Sequence, residues 1–339
     1  YFLCASRSSF LSEGLIVQKD VIVVGSGCAG LSTAITAAKR GLSVLLVEKT
    51  EYLGGTTALS GGGLWAPGNS IGAEAGYDDS PEKGKTYIRN VVGDIVREDV
   101  LETFMNNAHK MVDFYKNETD VEFTLHLNEP DYYQEYEGAT LEGRLLSPAV
   151  FDGRTMDRDL LLKIRPPLTE FNAPMGFMMS FEDIPHMMNI GKSFKSTIHA
   201  LKLFFRYFMD RLRYPRGTHL TMGNALVARL LVTAQKLGVE MRTNTPMKRL
   251  VKEGDRVVGV EVESNGKTEI INANKAVVLA SGGFSASEEM RKQFIPFAEH
   301  HVSFLPDGNT GDGLKAAMAE GGELELGNHG DAAYNIMSV

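Results

Sequence analysis

Apolar residues along this chain follow two rhythms: short unbroken runs, and longer stretches in which they recur every three or four positions. Val21–Val24 is the first short run, an all-β-branched stretch long enough for a buried parallel strand. An Ala-rich helical pattern through Leu31, Ala34, Ile35 and Ala38 follows and stops at Gly41. A second apolar run, Ser43–Val47, ends on Glu48. Helical spacing returns over 97–117 (Leu101, Phe104, Met105, Ala108, Met111, Val112, Tyr115) and over 222–237 (Ala225, Leu226, Ala228, Leu230, Leu231, Ala234). Residues 120–150 read as strand-like and aromatic, 171–191 as irregular and rich in Met, Phe and Pro, and 192–214 as a basic, aromatic helix. Strands are predicted at Val239–Thr243, Met247–Val251 and Val257–Val262, with Glu253-Gly254-Asp255 turning between the last two. Lys275–Leu279 gives one more short buried strand, closing on the glycine turn Ser281-Gly282-Gly283. The order predicts an α/β fold, a parallel sheet carrying an inserted antiparallel piece.

The join between the first strand and first helix carries the chemistry. Gly25-Ser26-Gly27-Cys28-Ala29-Gly30 is a GxGxxG turn. Gly25 permits the tight turn, Gly27 lets backbone approach a diphosphate, and Gly30 lets helix and strand pack closely. The helix then points free N–H groups and a positive dipole end at the anion. Glu48 lies 23 residues after Gly25, where an acid can accept hydrogen bonds from an adenosine ribose. Strand, turn, helix, strand and acid occur in order, which makes the domain Rossmann-like and a dinucleotide its expected ligand.

Composition narrows the rest. At 339 residues, 43% of them hydrophobic, core size is not limiting, and one large domain or two smaller ones are both allowed. A formal charge of −8 argues against nucleic acid, whose phosphates demand a basic face. Two cysteines, Cys4 and Cys28, give neither a disulfide framework nor metal-ligand spacing, so a reducing, cytoplasmic setting is expected. The histidines show no HExxH pattern, and no metal site is expected. No apolar run approaches the roughly 18 residues of a membrane span. The chain opens at Tyr1 without Met or a complete secretory signal and closes without a recognisable terminating element, which reads as a fragment.

NAD and FAD share the GxGxxG turn, so the choice rests on the segment Gly54-Gly55-Thr56-Thr57-Ala58-Leu59-Ser60-Gly61-Gly62-Gly63. Small side chains there let the chain lie flat against a large planar ring, and its hydroxyls suit diphosphate, ribityl or ring-edge atoms. A flexible Gly-rich loop is the plainer reading. The whole order, from GxGxxG through Glu48-Lys49 and GGTTALSGGG to the Val277–Gly283 strand and turn, resembles the fumarate reductase and succinate dehydrogenase flavoprotein family. Gly61-Gly62-Gly63-Leu64-Trp65-Ala66-Pro67, Pro130-Asp131-Tyr132-Tyr133 and Asn309-Thr310-Gly311-Asp312-Gly313 narrow the resemblance to the 3-ketosteroid Δ1-dehydrogenase branch.

That resemblance runs from about Asp20 to the chain end, interrupted around 170–216. It implies an N-terminal extension (1–15), an FAD-binding domain (16–327) with an insertion at about 170–216, and at 328–339 the start of an α+β catalytic cap, mostly missing. The Gly-rich loop lacks the histidine that attaches flavin in the succinate dehydrogenase branch, so the FAD is expected to be non-covalent. Cofactor contacts carry over to Gly25, Ser26, Gly27, Gly30, Glu48, Lys49, Thr56, Thr57, Ser60, Gly61 and Gly62, with Met247 at the adenine. Asp312 is a flavin-side candidate, although NTGDG also reads as a plain helix entry. The implied reaction removes two hydrogens from a steroid A ring: a tyrosinate takes the C2 proton and flavin N5 accepts hydride from C1. Tyr132 matches the tyrosine that supports the phenolate, while an aromatic packed on an apolar wall is its structural alternative. The proton-abstracting tyrosine falls beyond Val339, and Tyr334 is not assigned to that role. The substrate is expected to be lipophilic and steroid-like, and the sequence does not name the electron acceptor. A Δ4 steroid dehydrogenase, a fumarate-reductase-like enzyme and a non-catalytic fragment remain alternatives.

Two further stretches have open readings. The segment 192–216 carries Lys192, Lys195, Lys202, Arg206, Arg211, Arg213 and Arg216 beside Phe194, Ile198, Leu201, Phe204, Phe205, Phe208 and Leu212. A basic, aromatic helix of this kind suits peripheral contact with an anionic membrane; packing on the main domain is the other reading. Met175, Met178, Met179, Met187 and Met188 either line an adaptable apolar pocket or fill a core.

Overall fold

The computed structural model describes residues 17–126, 129–168 and 176–326. The N-terminal extension with Cys4, the cap start at 328–339 with Tyr334, and Met175 lie outside the described residues. The chain begins with β1 (Val17–Val24), α1 (Cys28–Lys39), β2 (Val44–Val47), β3 (Leu64–Trp65), α2 (Ser70–Glu74), α3 (Pro81–Val92) and α4 (Glu98–Glu118). Then come β4 (Phe123–Leu125), β5 (Leu145–Pro148), β6 (Phe151–Asp152), α5 (Arg158–Lys163), α6 (Asp183–Met188), α7 (Phe194–Arg211), β7 (His219–Leu220) and α8 (Met222–Lys236). The last part holds β8 (Glu240–Arg242), β9 (Met247–Glu253), β10 (Arg256–Ser264), β11 (Lys267–Leu279), α9 (Glu288–Phe294) and α10 (Asp312–Ala319).

The main sheet has the order β8-β2-β1-β11-β10-β9. Its first four strands are mutually parallel, and β10 and β9 add an antiparallel meander. The inserted antiparallel piece is thus continuous with the parallel sheet through β11. That strand pairs with β10 through Lys267–Asn272 and with β1 through Ile271–Leu279. The unbroken apolar runs of β1 and β2 follow from burial on both faces. Val21, Val23, Val44 and Leu46 meet Leu31 and Ile35 of α1 and Ala228 and Leu231 of α8 in one core. Ile22, Val24, Leu45 and Val47 meet Leu250, Val260 and Val262 in a second. This double burial fixes where β1 ends, and hence where the glycine turn opens.

Two stretches depart from expectation. Between β4 and β5 the described residues form turns rather than strands. A buried ionic knot holds them: Arg144 pairs with Asp79 (2.7 Å) and Asp131 (2.6 Å). Asp131 also accepts from Trp65 Nε1 at 2.7 Å and from the Thr140 N–H at 2.9 Å. Side-chain bonds here replace a strand ladder, which is why aromatic content alone misleads. In 171–191, α6 forms a short helix that tolerates Pro185 in its first turn, where the N–H has no intrahelical partner anyway. Of the described methionines, Met178 belongs to the main core, whereas Met188 is exposed. No helix among the described residues is long and apolar enough to cross a membrane.

Candidate cofactor site

The glycine turn leaves β1 and enters α1, whose N-cap is Gly27. A Cβ on Gly30 would lie 1.9 Å from the Gly25 carbonyl oxygen, so only glycine lets the helix sit this close to the turn. Gly27 instead faces open space, its nearest neighbour on that side being Thr57 Oγ1 at 3.7 Å. The turn forms one wall of a cleft of about 260 Å³. Around that cleft the fold gathers Gly25, Ser26, Gly27, Glu48, Lys49, Thr56, Thr57, Met247 and Asp312, nine of the expected residues from five separate parts of the chain.

The others are placed differently. Gly30 lies beneath the turn, and Ser60 Oγ is spent within its own loop, donating to the Thr57 carbonyl (2.8 Å) and accepting from the Gly62 N–H (3.1 Å). Gly62 backs onto Gly223, 2.9 Å from where its Cβ would be. Gly61 faces a second pocket. Tyr132 is 94% exposed and lines neither cavity, so the alternative reading, an aromatic packed on an apolar wall, is not what this chain gives it. Its loop is nevertheless tied to the Gly61–Pro67 motif through the Asp131–Trp65 bond.

Glu48 is the best-fixed carboxylate of the cleft. Its N–H donates to the Arg242 carbonyl and its own carbonyl accepts from the Thr245 N–H. One carboxylate oxygen accepts from the Ser26 N–H (3.2 Å) and Ser26 Oγ (2.6 Å); the other accepts from the Thr50 N–H at 3.0 Å, while the Thr50 hydroxyl, also 3.0 Å away, has a nearer acceptor in the Tyr52 carbonyl at 2.8 Å. About four lone-pair sites are all an ionised carboxylate has. With the Thr50 hydroxyl proton on the Tyr52 carbonyl, one of these sites is left for a ribose hydroxyl. Lys49 Nζ is likewise engaged, bonding Thr310 Oγ1 at 2.6 Å and Asp312 Oδ2 at 2.7 Å. Burial pushes the Asp312 carboxyl up, but the bonds from Lys49 and Thr310 outweigh it and hold the group below its ordinary value. Asp312 also opens α10, so NTGDG is a helix entry whose acid lines the cleft.

Three residues escaped the sequence reading. Gly223 and Asn224, in the first turn of α8, hold the Gly-rich loop: the Gly223 N–H donates to the Ser60 carbonyl (3.0 Å), and Asn224 Nδ2 donates to the Ala58 carbonyl (2.7 Å). A Cβ on Gly223 would stand 1.9 Å from the Thr57 carbonyl oxygen. Arg165, just after α5, points a guanidinium into the cleft. None of the three lies at a spacing that ties it to the glycine turn.

The second pocket, about 570 Å³, begins where the Gly-rich loop reaches Gly61. Leu125, Pro148, Val150, Phe181, Ile184 and Met222 give it an apolar wall. Its polar groups include His126 and Ser147, whose Nδ1 and Oγ are 3.0 Å apart, and Glu182. No lysine or arginine lines it among the described residues.

Close-packed glycines, an open helix N-terminus and a braced acid define a dinucleotide cradle, and its residues fit a flavin nucleotide. The chain belongs to the FAD binding domain family, whose model matches residues 20–329, and its cofactor is FAD. It is 36% identical over 318 residues to 4-oxocyclohex-2-ene-1-carboxylate 5-dehydrogenase of Sinomonas cyclohexanicum, covering 93% of this chain and 53% of that protein. It is 36% identical over 309 residues to 3-oxosteroid 1-dehydrogenase of Comamonas testosteroni, covering 89% and 53%. Among solved structures, 3-ketosteroid Δ1-dehydrogenase of Sterolibacterium denitrificans, in complex with 1,4-androstadiene-3,17-dione, matches with a TM-score of 0.80 at 33% identity. That match covers 89% of this chain and 55% of the other. The chain spans about half the length of the curated relatives it matches.

Proposed function

We propose that the protein is an FAD-dependent dehydrogenase that desaturates a neutral, steroid-like ring ketone beside its carbonyl. The observation that carries this reading is the apolar pocket at Gly61, continuous through one loop with the cofactor cleft. Gly55, Thr56 and Thr57 line the cleft and Gly61 lines the pocket, so a flavin laid along this loop has its ring end toward the pocket. Non-covalent FAD would supply the hydride acceptor; the chain's own residues bind it, orient it and exclude water. Tyr132 acts in this scheme only once a further part of the protein covers its exposed hydroxyl. The two relatives that are 36% identical both act on ring ketones by name, one steroidal and one carboxylated. A pocket holding Glu182 and no lysine or arginine among its described lining favours the neutral ketone, because a buried carboxylate needs a cation. Steady-state assays of full-length protein should give a higher kcat/KM for 4-androstene-3,17-dione than for 4-oxocyclohex-2-ene-1-carboxylate. The reverse preference contradicts the reading.

An anionic membrane surface is the partner that fits α7. Phe194, Leu201, Phe205, Phe208 and Leu212 are each at least 60% exposed. Lys192, Lys195, Lys202, Arg211 and Arg213 are exposed around them and form no ion pair among the described residues. Arg206, by contrast, is held by Asp152 at 2.9 Å. Apolar rings flanked by unpaired cations suit the boundary between lipid headgroups and acyl chains, where a lipophilic ketone also concentrates.

A further inference from the structure

We infer that the Arg165 guanidinium is an anion-binding group of the cofactor cleft and pairs with the diphosphate of FAD. Its backbone is pinned on both sides: the N–H donates to the Leu53 carbonyl at 2.9 Å, and the carbonyl accepts from Asn224 Nδ2 at 3.3 Å. The side chain is thereby committed to the cleft, where its Nη2 donates to Thr50 Oγ1 at 2.9 Å and its guanidinium carbon stands 5.8 Å from the Tyr52 ring centre. Nε is buried without a hydrogen-bond partner among the described residues. A guanidinium presents five N–H donors, and Thr50 takes one of them.

Other buried cations are met by protein groups: Arg216 has no ion pair among the described residues, but it donates to the Ile164 carbonyl at 2.8 Å and to Asn224 Oδ1. Arg144 is neutralised by Asp79 and Asp131, and Arg229 is held by Glu122 and three carbonyls. Lys49, which shares the cleft with Arg165, is paired to Asp312. Arg165 has no ion-pair partner among the described residues, and the Thr50 hydroxyl stands between it and Glu48. Burial holds its pKa below the ordinary value, although Glu48, Tyr52 and Asp307 pull the other way. Burying such a charge is unfavourable unless an anion completes it. The cleft is built for one: the open end of α1 supplies only partial positive charge, and a diphosphate matches a guanidinium's forked donors.

The test is a binding measurement on full-length protein stripped of FAD. FAD, ADP and adenosine are titrated against wild type, Arg165→Gln and Arg165→Lys, at low and high salt. For Arg165→Gln, FAD and ADP affinity should fall about tenfold or more, the scale of a lost hydrogen bond to a charged group. Adenosine affinity should stay as in wild type, and the salt dependence of ADP binding should flatten. Arg165→Lys should fall between, keeping the charge but losing the fork. Unchanged FAD and ADP affinity in both variants overturns the inference. So does an equal loss for ADP and adenosine, which would make Arg165 a prop for the wall. If Arg165→Gln does not fold, the ADP-to-adenosine comparison in Arg165→Lys decides by the same criteria.

Discussion

Glu48 is an acid whose position was legible and whose occupation was not. Its spacing from the glycine turn is set by one βαβ unit, a local property that sequence displays directly. What the spacing hides is that Ser26 and Thr50, each close to one end of that unit, already brace both of its carboxylate oxygens. Glu48→Gln replaces one acceptor oxygen with an NH₂ group, so the backbone N–H of Ser26 or Thr50 comes to face a donor. Unfolding in urea should show a loss of about 1–3 kcal/mol, the penalty for leaving buried polar groups unsatisfied, together with weaker FAD binding. An unchanged midpoint would mean the brace is dispensable. Lys49 and Asp312 were each read as cofactor contacts from resemblance; their mutual ion pair joins residues far apart in the chain, which no local pattern announces. Arg165 was missed for the same reason.

At the scale of elements, periodicity served where one face meets a core. α4 and α8 appear within a residue or two of their expected bounds, α4 because it lays a regular stripe against the core and α8 because it is buried on most sides. It failed where side-chain bonds replace a stripe, as in the loop that Arg144 holds. The placement of α8 also carries function that periodicity cannot express: its first turn is a backstop for the Gly-rich loop. Gly223→Ala sets a methyl group against the Thr57 carbonyl and should displace that loop. Purified Gly223→Ala protein should show a sharply lower flavin-to-protein absorbance ratio with a near-native far-UV CD spectrum; a wild-type ratio would mean that the loop does not govern the cofactor. For α7, the double variant Phe205→Asp/Phe208→Asp should abolish co-flotation with phosphatidylserine-containing vesicles while leaving flavin content intact. Equal binding of wild type to purely zwitterionic vesicles would contradict the proposed charge complementarity.

Across the whole molecule, a net charge of −8 coexists with a cationic, apolar helix confined to one segment. The α/β class and the mixed sheet were legible because double burial writes unbroken apolar runs into β1 and β2. The relation between cleft and pocket was not, since it depends on distant strands and on residues of the insertion meeting one loop. That relation is the central claim: FAD lies along the Gly-rich loop with its reactive end at a pocket shaped for a neutral ring ketone. Its most direct test is the visible spectrum of the full-length flavoprotein mixed anaerobically with 4-androstene-3,17-dione. The account predicts bleaching of the oxidised flavin band with formation of a more unsaturated steroid. A band left untouched by the steroid, in a protein whose reduced form is reoxidised by fumarate, contradicts it.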